Sequence, residues 1–377
     1  MATKRAAAKI YQGKRRGPPK ASSARRTVKA KAPATGVPAK PSARSRKPVV
    51  IDFHCHMRVP EVVAFCKGHG PDASVPDHPN YTAAAKKLDA EWAQMHRMRT
   101  GDMTTRLALM DEQGVDIQVL SPSGISQYTL WADPETSLKW ERRLNDGMAE
   151  MVASVPGRFV GLGSLPLHAP ELAIKEMQRC IGELGLRGIQ IGAHAEVMDL
   201  GDARMKPFWA AAQRLDVALF LHPAGLTDSR YKPYHLWNSL GQPLEEAMAM
   251  ASLWYEGVLD EFPRLKICVA HGGGFLPYYA GRVDRNYEDK PFTRVNMKKK
   301  PSDYIRENFY YDTSVYNPDL LEVLIERVGH SRVIMGSDYP SGEDDPVGFV
   351  RQMKRLSAAD KAAILGGNAA KFLGLTI

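Results

Sequence analysis

Eight short apolar runs, alternating with stretches of helical periodicity, fill the sequence from Val49 onward, and this alternation restricts the fold more than any other feature. The runs are Val49–His56, Ile117–Leu120, Phe159–Leu165, Gly188–Ile191, Ala218–Leu221, Lys266–Ala270, Phe309–Thr313 and Val333–Met335. Helices are expected at Thr105–Gln113, Pro134–Val155, Pro170–Gly182, Lys206–Leu215, Leu244–Glu261 and Asp319–Val328, with a helical region at the C-terminal end. Strands joined through helices run parallel, because each crossover returns the chain to the same edge direction. Eight such units predict a closed (β/α)8 TIM barrel. A doubly wound open sheet is the alternative, but no Gly-x-Gly-x-x-Gly turn follows the first strand. The stretch Met57–Thr100 is polar, rich in Pro and Gly, and too long for an ordinary connection. With His69, His78 and His96 it reads as an insertion near a site.

In a barrel of this kind the reactive groups gather at the C-terminal ends of the strands. The first run, VVIDFHCH, ends in His54 and His56, two residues apart and therefore on one face; Cys55 points to the other. His-x-His alone arises by chance. The fifth run, however, leads into His222, the sixth into His271 and the eighth into Asp338. A single histidine after a strand is usually a satisfied polar residue. Three histidine-bearing ends and an aspartate around one axis are a metal site, since each would otherwise bury a polar group without a partner.

The overall charge of +9 misleads. Residues 1–49 contain 15 Lys or Arg and no Asp or Glu, whereas the rest has 36 basic and 42 acidic residues, a net of −6. Residues 1–48, built of Lys, Arg, Ala, Pro and Ser, read as a disordered basic tail, and 49–377 as the metal-dependent barrel domain. The tail suits a solubilising extension or weak, salt-sensitive contact with nucleic acid. Its prolines and many lysines argue against an organellar transit helix. No secretory core or apolar run of 18 residues is present, and Cys55, Cys66, Cys180 and Cys268 lie far apart. A cytoplasmic protein with reduced thiols and no membrane span is expected.

The order His-x-His, His, His, Asp resembles that of the amidohydrolase superfamily. The similarity is stronger to the 2-amino-3-carboxymuconate-6-semialdehyde decarboxylase-like family and covers Val49–Ile377. It includes RFVGLGSLPLHAPELAIKEMQRCI from Arg158, GIQIGAH from Gly188 and FPRLKICVAHGGGFLPYYAGR from Phe262. The resemblance implies His54, His56, His222 and Asp338 as ligands of one Zn²⁺, with Mn²⁺ the alternative ion, and an open position for water or substrate. It implies His271 as the proton-transfer residue. It also implies Arg282 as a substrate-binding arginine that crosses a homodimer interface; an ordinary salt bridge on a helix surface is the other reading. His194 either lines the substrate pocket or makes a structural hydrogen bond.

Binuclear relatives commonly carry a carboxylated Lys at the end of the fourth strand, where this chain has Gln190 and no Lys, in keeping with a single ion. Two departures touch the pocket. Ala224 stands after Pro223 where those decarboxylases typically have Trp, and the family's second substrate arginine has only Arg97 and Arg99 as candidates. The expected activity is therefore non-oxidative decarboxylation of a small unsaturated or aromatic carboxylic acid. A zinc-bound water or substrate oxygen would serve as electron sink, with no organic cofactor. The alternative is a metal-dependent hydrolase of the same superfamily, cleaving an amide, lactone or C–C bond.

Overall fold

The computed structural model describes residues 48–69, 82–123, 128–224, 231 and 233–376. The tail expected to be disordered lies outside these residues, as does His78; the side chains of His96 and Arg97 are also outside them. Eight parallel barrel strands are present: β1 (Ile51–Met57), β2 (Ile117–Pro122), β3 (Phe159–Gly163), β4 (Gly188–Ile191), β5 (Ala218–Leu221), β6 (Lys266–Val269), β7 (Phe309–Asp312) and β8 (Val333–Ile334). They pair in sequence order. The segment after β8 then returns to β1: Tyr339 N–H donates to His54 O and His56 N–H to Tyr339 O, at 3.1 and 2.8 Å. This is the α/β barrel expected from the alternation.

Local chemistry accounts for where the elements start and stop. Asp133 caps the helix Pro134–Ser154 by accepting from Thr136 N–H, with Pro134 in the first turn where its missing donor costs nothing. Gly114, at φ +72°, closes the helix Met103–Gln113. Gly257, also at φ +72°, divides what the sequence reads as one helix, Leu244–Glu261, into Gln242–Tyr255 and Val258–Glu261. The insertion after β1 holds two helices, Pro60–His69 and Ala83–Gly101, despite its polar composition. The second helix reaches the barrel mouth, where Arg99 Nη1 donates to Pro340 O and Tyr339 Oη to Arg99 O.

Two apolar layers sandwich the sheet. The outer one fills the space between strands and helices and contains Cys55, Met110, Met148, Trp209 and Trp254. The inner one, inside the barrel, contains Ile51, Phe53, Leu162, Phe220 and Cys268 and is plugged from below by Phe372 and Leu373. Burying each such large side chain is worth roughly 1.5–3 kcal/mol. The β1–β2 register slips between Asp52 and Cys55. Such a bulge lets consecutive residues, Phe53 and His54, both meet Phe220, at ring centroid distances of 5.1 and 4.9 Å. It converts the lower, apolar half of β1 into the polar half that carries the histidines. All four cysteines are unpaired and buried.

Candidate active site

Above the aromatic floor of Phe53 and Phe220, the strand ends bring His54, His56, His222, His271 and Asp338 together. His54 Nε2 and His56 Nε2 are 3.1 Å apart, and Asp338 Oδ1 is 3.2 Å from each. The rings of His54 and His222 are 4.9 Å apart, those of His222 and His271 5.2 Å. Donor atoms of His54, His222, His271 and Asp338 all fall within 4.8 Å of one another. Asp338, at φ +62°, is seated by Asp52, which accepts from both the N–H and the hydroxyl of the adjacent Ser337 at 2.9 and 2.6 Å.

Each imidazole is fixed through its Nδ1. His54 Nδ1 donates to Asp312 Oδ2 at 2.6 Å, His56 Nδ1 to Pro122 O at 3.1 Å, and His222 Nδ1 to Pro223 O at 2.9 Å. Their acceptors carry no proton to give, so the tautomers are set and the three Nε2 atoms present lone pairs. His222 Nε2 is buried with no hydrogen-bond partner. His54 Nε2 and His56 Nε2 face each other and a carboxylate oxygen with no proton available between them. A cation satisfies all of these at once, and the N₃O donor set suits a divalent transition ion. The residues present therefore fit a single metal ion.

Burial pulls His56 below the usual imidazole range and takes His222 well below it, with its histidine neighbours adding to the effect. At His271 burial acts in the same direction but is overcome by the Glu246 and Asp338 carboxylates, which raise it well above that range. Glu246 Oε1 lies 2.5 Å from His271 Nδ1. Burial raises Asp338 too, yet the surrounding His54, His271 and His56 hold its carboxyl well below the ordinary value.

Several supporting residues go beyond the sequence reading. Asp312, at the end of β7, accepts from His54 and from the backbone N–H groups of Gly272 and Ser314. It stands at a strand end, so the rule that located the histidines also applies to it. Glu246 sits on the helix Gln242–Tyr255, away from any strand end, and no local pattern marks it. Gln190 Nε2 donates to Pro122 O and Tyr128 Oη at 3.2 Å each, and Tyr128 Oη to His222 O at 2.7 Å. Gln190 thus ties together the supports of His56 and His222.

Two expected site residues stand apart. His194 lies in a small hairpin, its side chain 45% exposed, with Nδ1 bonded to Glu196 O and Nε2 3.6 Å from Glu245. Arg282 is exposed on the helix Leu276–Asp289, and among the described residues it makes no ion pair. A cavity of about 740 Å³ opens from His271 and Asp338, walled by Leu240, Leu244, Phe275, Tyr278 and Tyr316; its described lining contains no Lys or Arg. Among the described residues no helix is long and apolar enough to cross a membrane.

The family model described as Amidohydrolase matches residues 51–375. A 2-amino-3-carboxymuconate-6-semialdehyde decarboxylase of Dictyostelium discoideum is 35% identical over 332 residues, covering 86% of this chain and 91% of the relative. The crystal structure of 5-carboxyvanillate decarboxylase from Sphingomonas paucimobilis superposes with a TM-score of 0.75 at 29% identity, covering 88% of this chain and all of the other. A dihydroxybenzoic acid decarboxylase from Polaromonas sp. JS666, with bound manganese and the inhibitor 2-nitroresorcinol, superposes with a TM-score of 0.74 at 30% identity, covering 87% and 97%.

Proposed function

Since the chain belongs to the amidohydrolase family, we propose that it is a metal-dependent, non-oxidative decarboxylase of a small unsaturated or aromatic carboxylic acid. One observation carries this reading: three buried imidazole lone pairs and a carboxylate converge beside a fourth imidazole that is backed by a carboxylate of its own. His54, His56, His222 and Asp338 are the ligands of one Zn²⁺, or of Mn²⁺, the ion bound in the Polaromonas relative. His56 belongs to the ligand set because its Nε2 lies 3.2 Å from Asp338 Oδ1, whereas the nearest Asp338 oxygen to His271 Nε2 is at 3.8 Å. Bound there, the ion supplies a Lewis acid that polarises a substrate oxygen near the carboxylate-bearing carbon.

His271 is the proton-transfer residue. Glu246 holds its Nδ1 side and favours the protonated imidazole, and His271 itself lines the cavity. When the bond to the carboxylate breaks, its electron pair stays on the ring or chain carbon. That carbon takes the proton from His271, and CO₂ departs. The apolar, aromatic wall excludes water and accepts a flat unsaturated acid.

A substrate carboxylate needs a counter-charge, and the described lining offers no cation. Arg282 of a second copy supplies it in a homodimer, where its planar fork grips the carboxylate in two places. His194 keeps a structural role beside Glu245. The barrel works in the cytoplasm as one domain over 49–377, and the basic residues 1–48 add weak nucleic-acid contact. The test is to incubate the metal-replete enzyme with carboxymuconate-type and hydroxybenzoate-type acids and follow CO₂. Release of CO₂ without incorporation of solvent ¹⁸O is expected; product carrying solvent oxygen and no CO₂ would make the protein a hydrolase.

A further inference from the structure

Asp338 shows its two carboxylate oxygens to different neighbours. Oδ1 lies 3.2 Å from Nε2 of His54 and of His56. Oδ2 accepts a 2.9 Å hydrogen bond from the Tyr316 hydroxyl and lies 3.8 Å from His271 Nε2. Tyr316 follows β7 and Asp338 follows β8, so their contact spans two adjacent strand ends.

Two features show that this contact is built in. Tyr316 and Asp338 both hold positive φ, +53° and +62°, a region that bulky non-glycine residues seldom occupy. Gly342 leaves the turn and the pair room: a Cβ there would run into Ser337 O and would sit 2.8 Å from Asp338 Cβ and 2.9 Å from the Tyr316 hydroxyl.

We propose that Tyr316 is a positioning residue that holds one oxygen of Asp338 toward the histidine ligands and the other away from them and from His271. The inference rests on the metal reading given above. A carboxylate turns easily about its Cβ–Cγ bond. Freed from the hydroxyl, Asp338 swings Oδ2 toward His271 Nε2, which weakens its hold as a ligand and occupies the nitrogen that passes the proton. Hydrogen-bond partners of ligating groups commonly change metal affinity by 10- to 100-fold.

Tyr316→Phe is the clean variant. Tyr316 lines both the 740 Å³ cavity and a second of about 380 Å³ lined by Pro318, Glu343, Asp345, Phe349 and Gln352, and Phe keeps its ring in both whereas Ala would remove it. Zn²⁺ affinity is read by competition with a chromogenic chelator, alongside the melting temperature of the metal-stripped protein. Tyr316→Phe is expected to bind Zn²⁺ roughly 10- to 100-fold more weakly, with the metal-free melting temperature unchanged. Wild-type affinity in Tyr316→Phe overturns the inference. So does a weakening that merely follows a fall in metal-free stability. A wild-type protein that takes up no Zn²⁺ removes the metal reading itself, and this inference with it.

Discussion

His222 and His271 lie 5.2 Å apart at the same barrel mouth, yet they are prepared for opposite tasks. Behind His222 stands a peptide carbonyl, and the Asp338 carboxylate does not outweigh its burial and its histidine neighbours; it stays neutral with a free lone pair. Behind His271 stands the Glu246 carboxylate, which reverses the effect of burial and favours the proton. His56, backed by the Pro122 carbonyl, sides with His222. The charge of the group behind a histidine therefore goes far toward sorting the proposed ligands from the proposed proton carrier in this cluster. His54, although backed by Asp312, still points Nε2 at two other donors. On the proposed ligand set the carboxylate there strengthens a ligand, the usual second use of such a pair.

Removing a member of the ligand group gives the largest effect. Wild-type protein should hold about one divalent ion per chain, and His222→Ala or Asp338→Ala should lose both the ion and turnover, as read by metal analysis and CO₂ release. Full turnover in stripped protein would abolish the contrast. His271→Ala comes next: it should retain most of the metal while kcat falls on the order of 10²-fold or more. Loss of metal in step with kcat would move His271 into the ligand group.

Mixing tests whether the proton carrier and the carboxylate-binding arginine come from different copies. Inactive His271→Ala and Arg282→Ala chains, allowed to exchange, should recover roughly a quarter of wild-type activity, because half the dimers are hybrids with one intact site of two. No recovery after confirmed exchange would place Arg282 outside a shared site.

The smallest effect concerns a buried acid with no histidine. Glu141 accepts from the Thr129 hydroxyl, and among the described residues no cation pairs with it; burial lifts its carboxyl to about 7. Its folded value lies above the unfolded one near 4.3, so its contribution is fully present below the unfolded value and is lost as pH rises through about 7. The loss is on the order of 3 kcal/mol. Between pH 5 and 8 the melting temperature of wild type should fall more than that of Glu141→Gln. Parallel curves would show that Glu141 ionises without penalty.

The barrel was legible because strand and helix periods are local and repeat eight times. The five clustered groups were legible because they follow strands directly. Glu246 was not, since only folding brings its helix against residue 271. The bulge at Asp52–Cys55 was hidden as well; strict alternation places Phe53 and His54 on opposite faces, whereas both meet Phe220. In the insertion, polar composition concealed two helices, the second of which is held near its end by a contact with the distant Pro340. Arg282 was legible as a residue but not as a contact, since among the described residues it makes no ion pair.

The stitching of Tyr339 onto His54 and His56 bears on how the protein is made. A ribosome delivers the two histidines of β1 early and Asp338 near the end of synthesis. Until that turn docks against β1, the emerging chain offers only part of the proposed set of donors. On the proposed ligand set, all four donors therefore come together only once the ring has closed.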